Sequence, residues 1–439
     1  MTTGPQTPWK SCVSGSLCHA VRVLVLCLCT RSLSASEPEN WPGWRGPDPS
    51  GVARSQGLLP SWPAGGPRLL GRSTEAGRGY STPSVVGAHI CLLGAREGDT
   101  ESLIALSWEN GRLVWALPFG RTQGVYPGPR SPPTWHDGQL YVISSNGKLL
   151  CADAHTGQAV WTRDLVKDFD GQCGPWAYAE SPLLDEGRLV VTPGGPRATI
   201  VALNPTNGAV LWTCAVDRAR PPEPRATRKR RPYSTAAYSS IVPATIAGVR
   251  QYIQFLDGGV VGVSAKDGRL LWAYDEPASP VANCMTPIVH GDVVFAASAY
   301  NTGGGAARIV HDNGQWRVQP LWFLKDFQNH HGGVVLIQGF LYGTVPTELL
   351  CVEFETGRIA GRNPSVGKGS VVAAGSQLYA RSENGPIALV EARPEAYTER
   401  GRFEQPDRSS EKAWPHLVIV RPRMLVRDQS LLLCYDLAR

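Results

Sequence analysis

Short apolar runs alternate with polar turns along nearly the whole chain. One stretch sets the pattern: CADAHTGQAVW, residues 151–161. Copies with drift are ALSWENGRLVW (105–115), ALNPTNGAVLW (202–212), GVSAKDGRLLW (262–272) and CVEFETGRIAG (351–361). A shortened copy, CYDLAR, starts at Cys434. The frame is a small residue, a polar one two on, Gly six on and usually Trp ten on. The apolar run before the turn reads as a strand, and so does the run that ends in Trp. Between them a polar turn closes on Gly, which takes positive φ without strain. Each copy therefore predicts a β-hairpin. A Trp this regular predicts a side chain buried as a wedge between neighbouring units. Trp115, Trp161, Trp212, Trp272 and Trp322 follow one another at intervals of 46 to 60 residues. That period, with four short strands per unit, predicts a β-propeller.

Each unit opens on a recognisable first strand. The starts are YSTPSVV (from Tyr80), RSPPTWH (Arg130), AESPLLD (Ala179), YSSIVPA (Tyr238), CMTPIVH (Cys284), HHGGVVL (His330), GKGSVVA (Gly367) and AWPHLVI (Ala413). Eight starts predict an all-β, eight-bladed propeller of four-stranded antiparallel blades. Blade 5 (306–324) and blade 7 (386–404) have lost the hairpin frame, so they are counted on their first strands. The stretch GPRLLGR (66–72) looks like an outer strand without its hairpin, and the C-terminal copy lacks an outer strand. The two are expected to complete the last blade together and so remove exposed sheet edges.

Composition changes the picture in three places. Residues 1–35 have the layout of a signal peptide: Lys10 and Arg22 flank a short apolar core at 23–29, and small residues follow at 32–36. The core is too short for a membrane span, so no transmembrane segment is expected, and the propeller occupies 36–439. Of the 11 cysteines, seven lie beyond that leader, an odd number with no CxxC pair. Most sit inside strands and read as small buried apolar residues. Finally, the Pro-rich insertion DRARPPEPRATRKRR (217–231) carries seven basic and two acidic residues, and the leader adds three more basic ones. Of the formal +6, the rest of the chain then holds −2. One loop is basic rather than the protein. It reads as a solvated loop or a contact for an anionic surface, and nucleic acid is not expected as a partner.

First strands of a propeller begin at one end of the central channel. Aligning the eight starts collects unlike residues at that rim: Arg130, Glu180, His330, His331 and Lys368, with Tyr80, Tyr238 and Trp414 as aromatic walls. Packing alone would favour similar small residues in every blade. The arrangement leaves two outcomes. Either the charges pair across the channel and fix blade order, or they form a small-molecule site for a polar, anionic ligand. Adjacent His330 and His331 make a poor chelate, because successive strand residues face opposite ways. Glu180 is a candidate metal ligand. No Ser-His-Asp set or phosphate loop is legible.

With these residues in view, the chain resembles the pyrroloquinoline quinone (PQQ)-like β-propeller repeat proteins, whose AxDxxTGxxxW frame is best kept at 151–161. The likeness extends to a bacterial exported subfamily with the stretches WPGWRGP (41–47), PGPR (127–130), ESP (180–182), QNHHGG (328–333), VGKGS (366–370) and GRFEQPDRS (401–409). The resemblance implies a periplasmic or secreted protein, and two functions remain open. One is a non-catalytic, monomeric scaffold that binds a small polar ligand or a protein partner at the channel rim. The other is a PQQ-dependent oxidoreductase of the alcohol or sugar dehydrogenase kind. That branch uses PQQ with Ca²⁺ and commonly a disulfide between adjacent cysteines, and no Cys-Cys pair occurs here. The cofactor is thus left unassigned.

Overall fold

The structure, a computed structural model, describes residues 39–126, 128–219 and 234–439. The leader expected at 1–35 and residues 220–231 of the basic loop lie outside the described residues. Eight antiparallel sheets form the fold. Blades 1 to 7 span 84–121, 134–164, 183–214, 242–274, 288–324, 334–363 and 369–403. The eighth is built from both ends of the chain: Leu69–Ser73 pairs with Leu431–Asp436, Leu69 opposite Tyr435. The shared closing blade read from the sequence is present.

The hairpin frame explains its own geometry. In blade 2, Asp153 Oδ1 accepts the backbone N–H groups of His155 (3.0 Å) and Thr156 (2.7 Å), and Gly157 closes the turn at φ +73°. A bulge follows. Ala159 faces Ala152 while Trp161 faces Cys151, so residue 160 is left over. The same skip precedes Trp115, Trp212 and Trp272. The extra residue resets the alternation of the outer strand and turns it outward, where Val114, Val160 and Leu211 are exposed.

The tryptophans dock on the following blade. A Cβ on Gly157 would lie 2.6 Å from the Trp115 ring, one on Gly208 2.9 Å from Trp161, one on Gly268 2.5 Å from Trp212 and one on Gly357 2.5 Å from Trp322. The turn glycine thus has two reasons to be glycine: its positive φ and the indole above it. Three of these indoles donate to a turn carbonyl, Trp161 to Pro205 (2.8 Å), Trp212 to Ala265 (3.1 Å) and Trp322 to Phe354 (2.9 Å). Trp272 departs from the pattern. The hairpin of blade 5, Gly303–Asp312 and Gln315–Leu324, has no such turn. Trp272 instead packs on Gly262 of its own blade and donates to Gln251 Oε1 at 2.7 Å. It is 4 % exposed, whereas Trp115, Trp161 and Trp212 are half-buried.

The N-terminal stretch WPGWRGP has a role that the sequence did not reveal. Trp41 pairs with Val85 in the first strand of blade 1, and Trp135 of blade 2 donates to the Pro42 carbonyl at 2.7 Å. Trp44 Nε1 donates to Thr286 Oγ1 at the entry to blade 5 (2.8 Å). Arg45 reaches the carbonyls of Gly332 and Val334 in blade 6. Val52–Ala53 then adds a parallel fifth strand to blade 7. A segment that touches the innermost strands of blades on opposite sides must lie across the axis. It plugs the central channel.

Candidate functional site

Above the plug, the residues leading into the first strands form a cup of about 140 Å³. Trp44 and His416 close its floor, their rings 4.4 Å apart. Aromatic rings make the wall: Trp414 lies 4.7 Å from both Tyr80 and Tyr126, and Trp176 meets Tyr238 edge-on at 5.6 Å. Arg130 stands over this wall, 5.4 Å from the Tyr80 ring and 5.8 Å from Trp414. Its Nη1 has a long bond to the Gly128 carbonyl (3.3 Å), while Nε and Nη2 are shielded from solvent without a partner among the described residues. Burial lowers its pKa, with the nearby Tyr80 and Tyr238 opposing. A guanidinium in that position is stacked on π-faces and short of acceptors.

One side of the cup carries a charged cluster. Glu383 is 8 % exposed and receives Lys368 Nζ at 3.0 Å, His331 Nε2 at 3.1 Å and Lys412 Nζ at 3.5 Å. The His331 approach is an ion-pair distance without hydrogen-bond alignment. Burial alone would raise the Glu383 carboxyl, but His331 and Lys368 together pull it well below the carboxylate range. Next to it, His330 Nε2 lies 2.7 Å from the Tyr300 hydroxyl, and His416 Nε2 2.9 Å from the His331 carbonyl. Burial pushes both His330 and His416 down to about 3, which keeps them neutral. Burial also drives the Cys284 thiol up to about 12, so it is not an activated nucleophile.

Of the residues singled out from the sequence, Tyr80, Arg130, Tyr238, His330, His331 and Trp414 face the cup. Lys368 sits behind it, bound to Glu383. Glu180 turns away from the channel. It is 3 % exposed and accepts the Thr192 backbone N–H (2.8 Å) and hydroxyl (3.0 Å) of its own blade. Tyr80, Arg130, Tyr238 and His330 occupy one row, and Glu180 lies one residue later with Ser81, Ser131 and Ser239, all buried. Strand alternation does not explain the split, because these residues precede the regular strands. His331 and Trp414 share the row of Glu180 and still face the cup, and the adjacent His330 and His331 both line it, contrary to the expectation that they face opposite ways. Burial raises the Glu180 carboxyl to about 8. Among the described residues no three His, Cys, Asp or Glu side chains gather as a metal site.

A family profile described as outer membrane protein assembly factor BamB matches residues 81–363. The chain belongs to the PQQ-like propeller family. Its relatives in this family fall on two sides. BamB of Yersinia pestis is 29 % identical over 144 residues, 31 % of this chain and 32 % of that protein. The quinoprotein alcohol dehydrogenase PedH of Pseudomonas putida is 25 % identical over 284 residues, 63 % of this chain and 40 % of that protein. This chain therefore matches less than half the length of each. Among solved structures, the quinohemoprotein alcohol dehydrogenase of Comamonas testosteroni superposes with a TM-score of 0.60 at 12 % identity, over 91 % of this chain and 81 % of that one. That likeness extends to the fold.

Proposed function

We propose that this PQQ-like propeller is an exported, non-catalytic binding protein whose ligand sits in the plugged channel and presents an anionic group to Arg130. The observation that carries this reading is the Arg130 guanidinium: two of its nitrogens lack partners among the described residues, in a site walled by Tyr80 and Trp414. A buried cation without acceptors is costly, and an anion entering the cup would supply them. A flat apolar portion of the ligand suits the aromatic wall. The family members named as assembly factors support a binding role, and a docked protein is the other form this role can take. The signal-peptide layout at 1–35 supports export. Among the described residues no helix is long and apolar enough to cross a membrane.

The family members named as quinoprotein dehydrogenases support an oxidoreductase alternative. The channel residues do not fit a quinone held by a divalent ion. Such an ion wants several oxygen ligands, but Glu180 is spent on Thr192 and Glu383 on Lys368 and His331.

Calorimetric titration with benzoate and with inorganic phosphate tests the reading. Arg130→Ala is expected to weaken any saturable binding at least tenfold, a loss of about 1.4 kcal/mol, and to leave the melting temperature nearly unchanged. A clear drop in melting temperature with no binding to the parent protein would instead make Arg130 a structural residue.

A further inference from the structure

The repeat supplies its own measure of what belongs between two blades. Where the frame is complete, an indole covers the next blade's turn glycine. Blades 6, 7 and 8 carry glycine at the tryptophan position: Gly361 pairs with Cys351, Gly401 with Leu389 and Gly71 with Cys434, as Trp161 pairs with Cys151. The gaps at Gly401 and Gly361 have different fates. At Gly401 a Cβ would come within 2.5 Å of Trp62 Cβ. Trp62 arrives from the N-terminal segment, donates its backbone N–H to the Arg400 carbonyl (2.8 Å) and packs against Tyr379 and Phe403. An aromatic ring from elsewhere in the chain takes the place of the missing one.

At Gly361 no indole from elsewhere among the described residues takes the place, and the turn of blade 7, with Pro394 and Tyr397, borders the space. A Cβ there would meet the Pro394 carbonyl at 3.6 Å and Cys351 Cβ at 3.7 Å, ordinary contacts with space beyond. The space is a cavity of about 170 Å³ between blades 6 and 7. Its apolar lining includes Tyr342, Leu349, Cys351, Leu378 and Val390. Glu391 also lines it. Its Oε2 is shielded from solvent and has no aligned donor, although Arg393 Nε lies 2.9 Å away. Three of the filled sockets give the indole N–H an acceptor, at Trp161, Trp212 and Trp322, and this one offers an apolar wall and the Glu391 carboxylate. In size it matches cavities of roughly 150 Å³ that hold one benzene ring in other proteins.

We infer that the gap at Gly361 is a binding site for an indole-type ring, independent of the channel site. The ring belongs either to a free aromatic molecule or to a tryptophan side chain on an extended peptide, and the two sources share one chemistry. Its face would pack on Tyr342 and Leu378 and its N–H would reach Glu391.

Fluorine NMR titration with 5-fluoroindole tests the free ligand, and an acetylated, amidated peptide with 5-fluorotryptophan flanked by Gly residues tests the side chain. Saturable binding of either probe is expected, together with protection of Cys351 from maleimide. Gly361→Trp and the milder Gly361→Leu fill the socket. Each is expected to weaken the probe at least tenfold without lowering the melting temperature. Arg130→Ala is expected to leave it unchanged, which separates this site from the channel. Absence of saturable binding to the parent protein overturns the inference, as does binding that survives both filling variants or leaves Cys351 unprotected.

Discussion

The Arg45 guanidinium donates to the main-chain carbonyl of Gly332, 3.0 Å away and 287 residues later in the chain. It also reaches the carbonyls of Ser50 and Val334. Burial lowers its pKa to about 10, so it stays charged at neutral pH. These bonds fasten the plug to blade 6. Arg45→Ala would leave buried carbonyls without donors, and is expected to cost on the order of 3 kcal/mol in urea unfolding. A loss below about 0.5 kcal/mol, the range of ordinary surface changes, would show that the plug is held by its other contacts.

The turn glycines allow a matched comparison. Gly208 (φ +70°) lies beneath Trp161, whereas a methyl group added at Gly187 (φ +73°) would point into open space, with nothing within 4 Å. Alanine at either position carries the left-handed penalty, about 1 kcal/mol. Only Gly208→Ala also pushes an indole aside, which adds roughly 1–3 kcal/mol. Thermal or urea unfolding of the two variants should separate them by that difference. Equal losses would remove the docking explanation.

The tryptophans themselves are not equivalent. Trp272→Ala removes a 4 % exposed side chain and its bond to Gln251, and is expected to cost about 3–5 kcal/mol. Trp161 is half-buried, so Trp161→Ala is expected to cost less, on the order of 2 kcal/mol. Equilibrium unfolding of both variants checks the order. The reverse ranking would mean that docking on a turn glycine outweighs depth of burial, since Trp272 lies in the core shared by blades 4 and 5.

Two buried carboxyls set a pH dependence. Burial raises Glu101 to about 7 and Glu180 to about 8, against opposing bonds from Ser145 and Thr192. Folded pKa values above the unfolded ones mean that the native state binds more protons. The contribution of these groups is present at acid pH and is lost as pH rises through 7 and 8. His330 and His416, lowered to about 3, act oppositely, but only below the ordinary histidine range near 6.5. Between pH 6.5 and 8, stability is therefore expected to fall, and Glu180→Gln to flatten the slope. A parent profile that rises across that window would contradict the assignment.

The blade count was legible because eight first strands and a recurring hairpin repeat a local pattern. The ring closure was legible because each chain end lacks what the other has. The cup was legible only in part. The rim residues precede the regular strands, so sequence position did not fix which side chains reach the channel: Glu180 serves its own blade, while His331 at the equivalent position of blade 6 faces the cup. Glu383 escaped notice because it follows the second strand of blade 7 and not a first strand. The plug escaped because many of its bonds go to main-chain groups of distant blades, which leave no mark on side-chain periodicity. The density of aromatic residues in WPGWRGP was the one available signal, since Trp41 and Trp44 are both spent on the channel.

The plug also governs the order in which the ring can be made. Its first residues need partners in blades 1 and 2, then in blades 5, 6 and 7, and the same segment goes on to supply the last outer strand. Contacts of such long sequence separation form slowly. A chain emerging N-terminus first carries Arg45 without its acceptors in blade 6 until residues 332–334 exist. A chain that stops short of Leu431 leaves Leu69–Ser73 unpaired and the ring open, with free strand edges for any neighbouring chain to join. Biogenesis of this protein is thus a matter of completing the whole circle, and partial products are the species that quality control would meet.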